Sequence, residues 1–109
     1  MIDFEKILQE LKKVLTDLFK DKYSEFTKES KKDVEAILSD SKEKLERWTI
    51  LLAEGKITLQ DFKWLLEAQK DLLHMKALYK VGVSKISLGH FKNKVINTIF
   101  DVIKGVVFG

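Results

Sequence analysis

Apolar side chains recur at three- and four-residue steps along most of the chain, and this spacing predicts α-helices. Over residues 2–26 the stripe comprises Phe4, Ile7, Leu8, Leu11, Val14, Leu15, Leu18, Phe19 and Phe26. At about 100° per residue, these positions occupy an arc of roughly 140°, which is normal for a helix with one buried face. We therefore predict a first amphipathic helix over residues 2–26.

The stretch TKESKKD, which follows this helix, contains no apolar residue. Ser30, with Asp33 three residues later, resembles a helix N-cap pair. We therefore predict a break here and a second helix over residues 31–54. One continuous helix over residues 2–54 is the alternative, because the first 53 residues contain neither glycine nor proline.

The stretch AEGKITLQDF has the clearest signals for a turn between two helices. Gly55 can end a helix in the left-handed conformation. Thr58 then takes the N-cap position, and Asp61 stands where the acid of a capping box belongs. We predict a third helix over residues 58–80, with an apolar arc of about 200° that contacts neighbours on two sides.

Four side chains in the middle of the chain are candidates for interaction. Gln69 and Lys76 fall inside the apolar arc of the third helix. They can be a buried amide with a lysine that reaches solvent along its stem, or a polar pair that fixes register or receives a partner. Trp48 and Trp64 flank the Gly55 turn, where they can anchor the core of a helical hairpin or contact a partner.

A fourth helix is predicted over residues 88–107, after Gly82 as a C-terminal cap. Its apolar residues fill roughly 180° of the helical wheel, which is wider than a contact with one helix requires. Lysines and asparagines on the other side resemble an interfacial amphipathic helix. The candidate interaction residues here are Phe91, Val95, Ile99, Phe100, Val102, Ile103 and Val106.

These elements predict an all-α fold, an antiparallel bundle of about four helices in a single domain over residues 1–109. The chain has no proline and only five glycines, as expected for long helices. No β-branched, alternating run is bounded by turn signals.

Charge is unevenly distributed, although the net charge is only +3. Residues 72–100 contain no acid, and their five lysines are Lys76, Lys80, Lys85, Lys92 and Lys94. This segment can be an ordinary solvated face, or it can bind an acidic partner or an anionic membrane surface. The single arginine lies elsewhere, at Arg47, so nucleic acid is disfavoured as a partner.

The sequence contains no residue pattern typical of catalysis or metal binding, although a site could still be built from residues distant in the sequence. There is no cysteine, and the two histidines, His74 and His90, have no metal-ligand spacing. No phosphate-binding loop or nucleophile motif is present. We therefore predict no enzymatic activity, no cofactor, no metal and no small-molecule substrate. No apolar window is long enough to span a membrane, and the N-terminus does not resemble a signal peptide.

The function predicted from these features is that of a non-enzymatic helical interaction protein, such as an oligomeric scaffold, adaptor or inhibitor. It would use the wide apolar faces of its C-terminal half to bind another copy or a protein partner. The alternative is a membrane-peripheral or membrane-active protein that binds anionic lipid through the basic C-terminal helix. The expected location is the cytoplasm, with attachment to a membrane under the alternative.

Overall fold

The computed structural model describes residues 3–109, except for the side chain of Leu72. The helices are α1 (Phe4–Lys22), α2 (Thr27–Ala53), α3 (Leu59–Ala68), α4 (Lys76–Lys80) and α5 (Lys85–Phe108). Short 3₁₀ turns at Ser24–Phe26 and Lys70–Leu72 lie between α1 and α2 and between α3 and α4. The described residues form no β-strand, and the predicted all-α helical bundle is confirmed.

Two helices, and not one continuous helix, make up the first half of the chain. Tyr23 and Phe26 leave the helical region, with ψ angles of 54° and 53°. Tyr23 is fixed in the turn because its ring packs edge-on against Phe91, 5.0 Å between centroids, and its hydroxyl lies 2.9 Å from the Ser87 hydroxyl. The break therefore precedes the TKESKKD stretch, which forms the first turns of α2.

The predicted N-cap pair of Ser30 and Asp33 is wrong. Both residues lie inside α2, and they are only 0% and 3% exposed. If Ser30 and Asp33 are counted as core-facing positions, the apolar stripe of α2 continues through this stretch, and the spacing then predicts a helix here. Asp33 does cap a helix, but it is α4, far along the chain.

The third predicted helix starts as expected but ends early. Thr58 Oγ1 accepts from the Asp61 N–H, and an Asp61 carboxylate oxygen accepts from the Thr58 N–H, each at 3.0 Å. After Ala68, however, the chain turns and forms α4 separately, instead of one helix over residues 58–80. The turn allows Leu73 and Met75 both to be buried, whereas side chains two residues apart point about 200° apart on one helix.

The three long helices pack side by side in alternating directions. Ion pairs Lys12–Glu35 and Lys42–Glu5 connect α1 to α2 with opposite chain directions. The helices α1 and α5 also run in opposite directions. Phe19 near the end of α1 contacts Phe91 near the start of α5, with 4.7 Å between the ring centroids. The apolar face of α5 thus lies against α1 and the rest of the core.

Candidate interaction surface at the α4–α5 corner

Most of the α5 residues predicted to contact a partner lie in the core of the chain itself. Phe91, Val95, Ile99 and Ile103 are at most 2% exposed. Phe100 and Val102 are half-buried, and Phe100 stacks on Phe62 of α3, 6.1 Å between ring centroids. Of this set, only Val106, 48% exposed near the end of α5, is fully on the surface.

The other four candidates do not form one site. Trp48 is half-buried against the core, whereas Trp64 on α3 is 67% exposed. Gln69 accepts a hydrogen bond from Lys44 Nζ at 2.7 Å. Lys76 is the first residue of α4 and is exposed. Because the chain turns between residues 69 and 75, Lys76 and Gln69 do not share one helix face.

Asp33 holds α4 in place on α2. Its two carboxylate oxygens accept from the backbone N–H groups of Ala77 and Leu78, both at 2.9 Å. Burial raises the pKa of Asp33, the two backbone hydrogen bonds lower it, and Glu29 nearby raises it, with a net upward shift. The sequence offers no local signal for this contact, because the partners are 44 and 45 residues apart.

A basic and apolar surface lies where the chain passes from α4 into α5. We call it the basic corner, and it comprises Lys76, Tyr79, Lys80, Val81, Lys85 and Ile86. Three of the seven exposed large apolar side chains described are here: Tyr79 at 52%, Val81 at 42% and Ile86 at 76% exposure. Lys85 Nζ lies 5.4 Å from the centre of the Tyr79 ring, which brings a charge and an aromatic face together.

The turn that forms this corner is fixed by backbone hydrogen bonds. Gly82 has a φ angle of 104°, a backbone conformation that residues other than glycine rarely adopt. Its N–H donates to Tyr79 O, and the N–H of Val83 donates to Leu78 O, both at 3.1 Å. Ser84 then caps α5 by accepting from the Ser87 N–H at 3.0 Å. The corner is therefore a defined turn between two capped helices.

A groove of about 290 Å³ runs beside the basic corner, and we call it the α4–α5 groove. Two of its lining residues, Met75 and Leu88, are apolar and buried, at 4% and 7% exposure. The complete lining is His74, Met75, Lys76, Tyr79, Lys85, Leu88, Gly89 and Lys92. Four of these residues carry basic side chains and none is acidic, as the acid-free sequence of residues 72–100 requires.

Within residues 3–109, no helix is long and apolar enough to cross a membrane. The same residues contain no group of three or more histidine, cysteine or acidic side chains placed to hold a metal ion. His74 and His90 are both exposed. Comparisons of the chain with protein-family models, with curated proteins and with solved structures find no match.

Proposed function

We propose that this protein is a non-enzymatic interaction protein that attaches to an anionic membrane surface through the basic corner. The observation that carries the proposal is the exposure of Tyr79, Val81 and Ile86 in a segment whose charges are all lysines. Apolar side chains can enter the interface between headgroups and acyl chains, while the surrounding lysines approach the anionic headgroups.

The size of the corner favours lipid over an acidic protein. A stable protein interface buries about 800 Å² on each partner and needs complementary shapes. The corner exposes only three large apolar side chains, and a fluid lipid surface can accommodate them without a matching cleft. Each lysine near an anionic membrane contributes about 1 kcal/mol, so the lysines of the basic corner, Lys76, Lys80 and Lys85, together attract the protein to such a surface.

The site proposed here differs from the one expected from the sequence. The apolar face of α5 was the expected membrane contact, but Phe91, Val95 and Ile99 are buried against the chain's own core. Lipid binding through that face would require α5 to leave the bundle. The basic corner needs no such rearrangement, because Ile86 and Val81 are already exposed.

Sedimentation with vesicles tests the proposal. We expect the protein to sediment with vesicles made of equal parts phosphatidylserine and phosphatidylcholine, and not with phosphatidylcholine alone. Binding should weaken strongly at about 0.5 M salt, because the Debye length falls from about 10 Å at 0.1 M towards a few ångströms. Equal binding to both vesicle types, or no binding to either, would contradict the proposal.

A second candidate function is self-association through α3. It is favoured by Trp64, because an aromatic side chain that is 67% exposed is of the type that dominates binding energy in protein interfaces. Sedimentation velocity over a wide concentration range should then show a dimer or larger species, which Trp64→Gln converts to monomer. A strict monomer at high micromolar concentration would contradict this candidate.

A further inference from the structure

We infer that the α4–α5 groove binds a single anionic amphiphile, a molecule with an apolar chain or ring and one carboxylate or phosphate group. The inference rests on the proposed function, since Lys76, Tyr79 and Lys85 belong to both the groove and the basic corner. Contact between the basic corner and a membrane would not by itself select one headgroup over another. The α4–α5 groove would add a defined binding site for one molecule.

The two walls of the groove come from different elements. Lys85, Leu88, Gly89 and Lys92 are spaced by three, four and seven residues from the first, so they share one face of α5. The opposite wall is α4 with the residues just before it. Because Asp33 ties the start of α4 to α2, this wall is held in position without a ligand.

Gly89 lines the groove without a side chain of its own. It lies inside α5, and a Cβ atom built there meets no atom within 4 Å. A larger side chain at this position would therefore extend into the groove.

The chemistry of the lining indicates the class of ligand. Met75 and Leu88 give the groove an apolar lining, and Lys76, Lys85 and Lys92 line it as well. None of these three lysines takes part in the ion pairs formed within residues 3–109. Lys92 is half-buried, whereas Lys76 and Lys85 are exposed.

The volume limits the size of the ligand. At about 290 Å³, the groove lies at the lower edge of the range for small-molecule sites, which starts near 300 Å³. It can take one short acyl chain or one ring system, and not a whole phospholipid. The same chemistry has two sources, a free carboxylic acid or the end of an anionic lipid still in a membrane.

The test uses decanoate below its micelle concentration as the probe, with decyltrimethylammonium as the cation of matched chain length. Titrations of the full chain followed by amide NMR should show decanoate binding at least about tenfold tighter than the cation, with shifts at residues 74–92. Gly89→Leu fills the groove and should weaken decanoate binding about tenfold or more. Gly105→Leu is the matched control, because a Cβ there also meets no atom within 4 Å but the residue lies near the other end of α5.

Vesicle binding by the same variants identifies the source. If Gly89→Leu loses decanoate but still sediments with anionic vesicles, the groove takes a free acid. If it loses both, the groove takes part of a membrane lipid. Decanoate binding that is no tighter than that of the cation, or that Gly89→Leu leaves unchanged, would overturn the inference even if the wild type binds vesicles. Decanoate binding by a wild type that ignores vesicles would contradict the proposed function alone.

Discussion

The α1–α2 hairpin and the segment from α3 to α5 contribute equally to the core but differ in what they expose. Each supplies eleven of the buried apolar side chains described. Of the seven large apolar side chains found exposed within residues 3–109, however, only Ile50 belongs to the hairpin, and the other six lie between Trp64 and Phe108. Residues 1–53 carry 11 bases and 12 acids, whereas residues 54–109 carry nine bases and five acids.

Under the proposed function, the hairpin would support the bundle and the second half would bind the membrane. The hairpin is regular, nearly neutral and crossed by ion pairs, as a supporting scaffold is. The second half begins with two short helices, α3 and α4, before the long α5, and the turn from α4 to α5 brings apolar and basic side chains to the surface together. We expect substitutions at contacts between the halves to unfold the protein, and substitutions at the basic corner to alter binding alone.

Phe91→Ala should have the largest effect on stability. Phe91 of α5 contacts Phe19 and Tyr23 of the hairpin with ring centroids 4.7 and 5.0 Å apart, so its loss opens a cavity between the halves. We expect the free energy of unfolding, measured with urea, to fall by about 3–5 kcal/mol. Phe108→Ala is the control, because that ring is 58% exposed and should change stability by less than about 0.5 kcal/mol. Similar losses in both variants would argue against a shared core at Phe91.

Asp33→Ala should come next, because it leaves the N–H groups of Ala77 and Leu78 without their acceptor. We expect a loss of about 2–4 kcal/mol and faster hydrogen exchange at these two amides. Asp40→Ala, at an exposed position of the same helix, should be close to neutral. Unchanged exchange at Ala77 and Leu78 would mean that α4 does not depend on α2.

The pH dependence of Asp33 has a defined sign. Burial raises the pKa of Asp33 above its ordinary value of 3.8, so the folded protein holds this proton more tightly than the unfolded chain does. The stability that the folded protein gains by holding this proton is therefore fully present below pH 3.8. It is lost as the pH rises through the pKa that Asp33 has in the folded protein. Asp33→Asn should cost more stability at about pH 3.5 than at about pH 7. A cost that grows with pH would show that the two backbone hydrogen bonds outweigh burial.

Thr58→Ala tests the turn that connects the two halves. It removes the acceptor of the Asp61 N–H and one side of the capping box. We expect a loss of about 1 kcal/mol in urea unfolding, compared with little change for Gln60→Ala on the exposed side of the same turn. If the two variants lost the same amount, the cap would not be responsible.

Thr49→Val should have the smallest effect, and it should be favourable. Thr49 is fully buried in α2, and its hydroxyl has no hydrogen-bond partner within residues 3–109. Replacing the hydroxyl by a methyl group of similar size removes that cost, so we expect a gain of up to about 1 kcal/mol. A loss of stability would indicate that the hydroxyl is satisfied by a bound water.

The parts of the fold that depend on local spacing were predictable from the sequence. The long helices follow from their apolar stripes, and the Thr58 capping box follows from two residues three positions apart. The turn after Ala68 was not predictable in this way, because apolar residues continue at helical spacing through it. Its geometry depends on the burial of Leu73 and Met75 and on Asp33, which lies 44 residues before its hydrogen-bond partner Ala77.

The candidate surface was predictable only in part, for the same reason. The acid-free run of lysines is visible in the sequence, and it supplies the charge of the basic corner. Which apolar residues remain outside depends on packing across the bundle. The spacing of apolar residues does not show which of them a partner could reach. Phe91 and Ile99 were candidates for contact with a partner but are each 2% exposed, whereas Ile86 is 76% exposed.

The most direct test of the central proposal compares Ile86→Asp with Ile50→Asp. Both residues are exposed, at 76% and 45%, so neither change should unfold the protein, and both add the same charge. We predict that Ile86→Asp abolishes sedimentation with phosphatidylserine vesicles, while Ile50→Asp, on the hairpin, still sediments with them. Equal binding by the two folded variants would contradict a membrane contact at the α4–α5 corner.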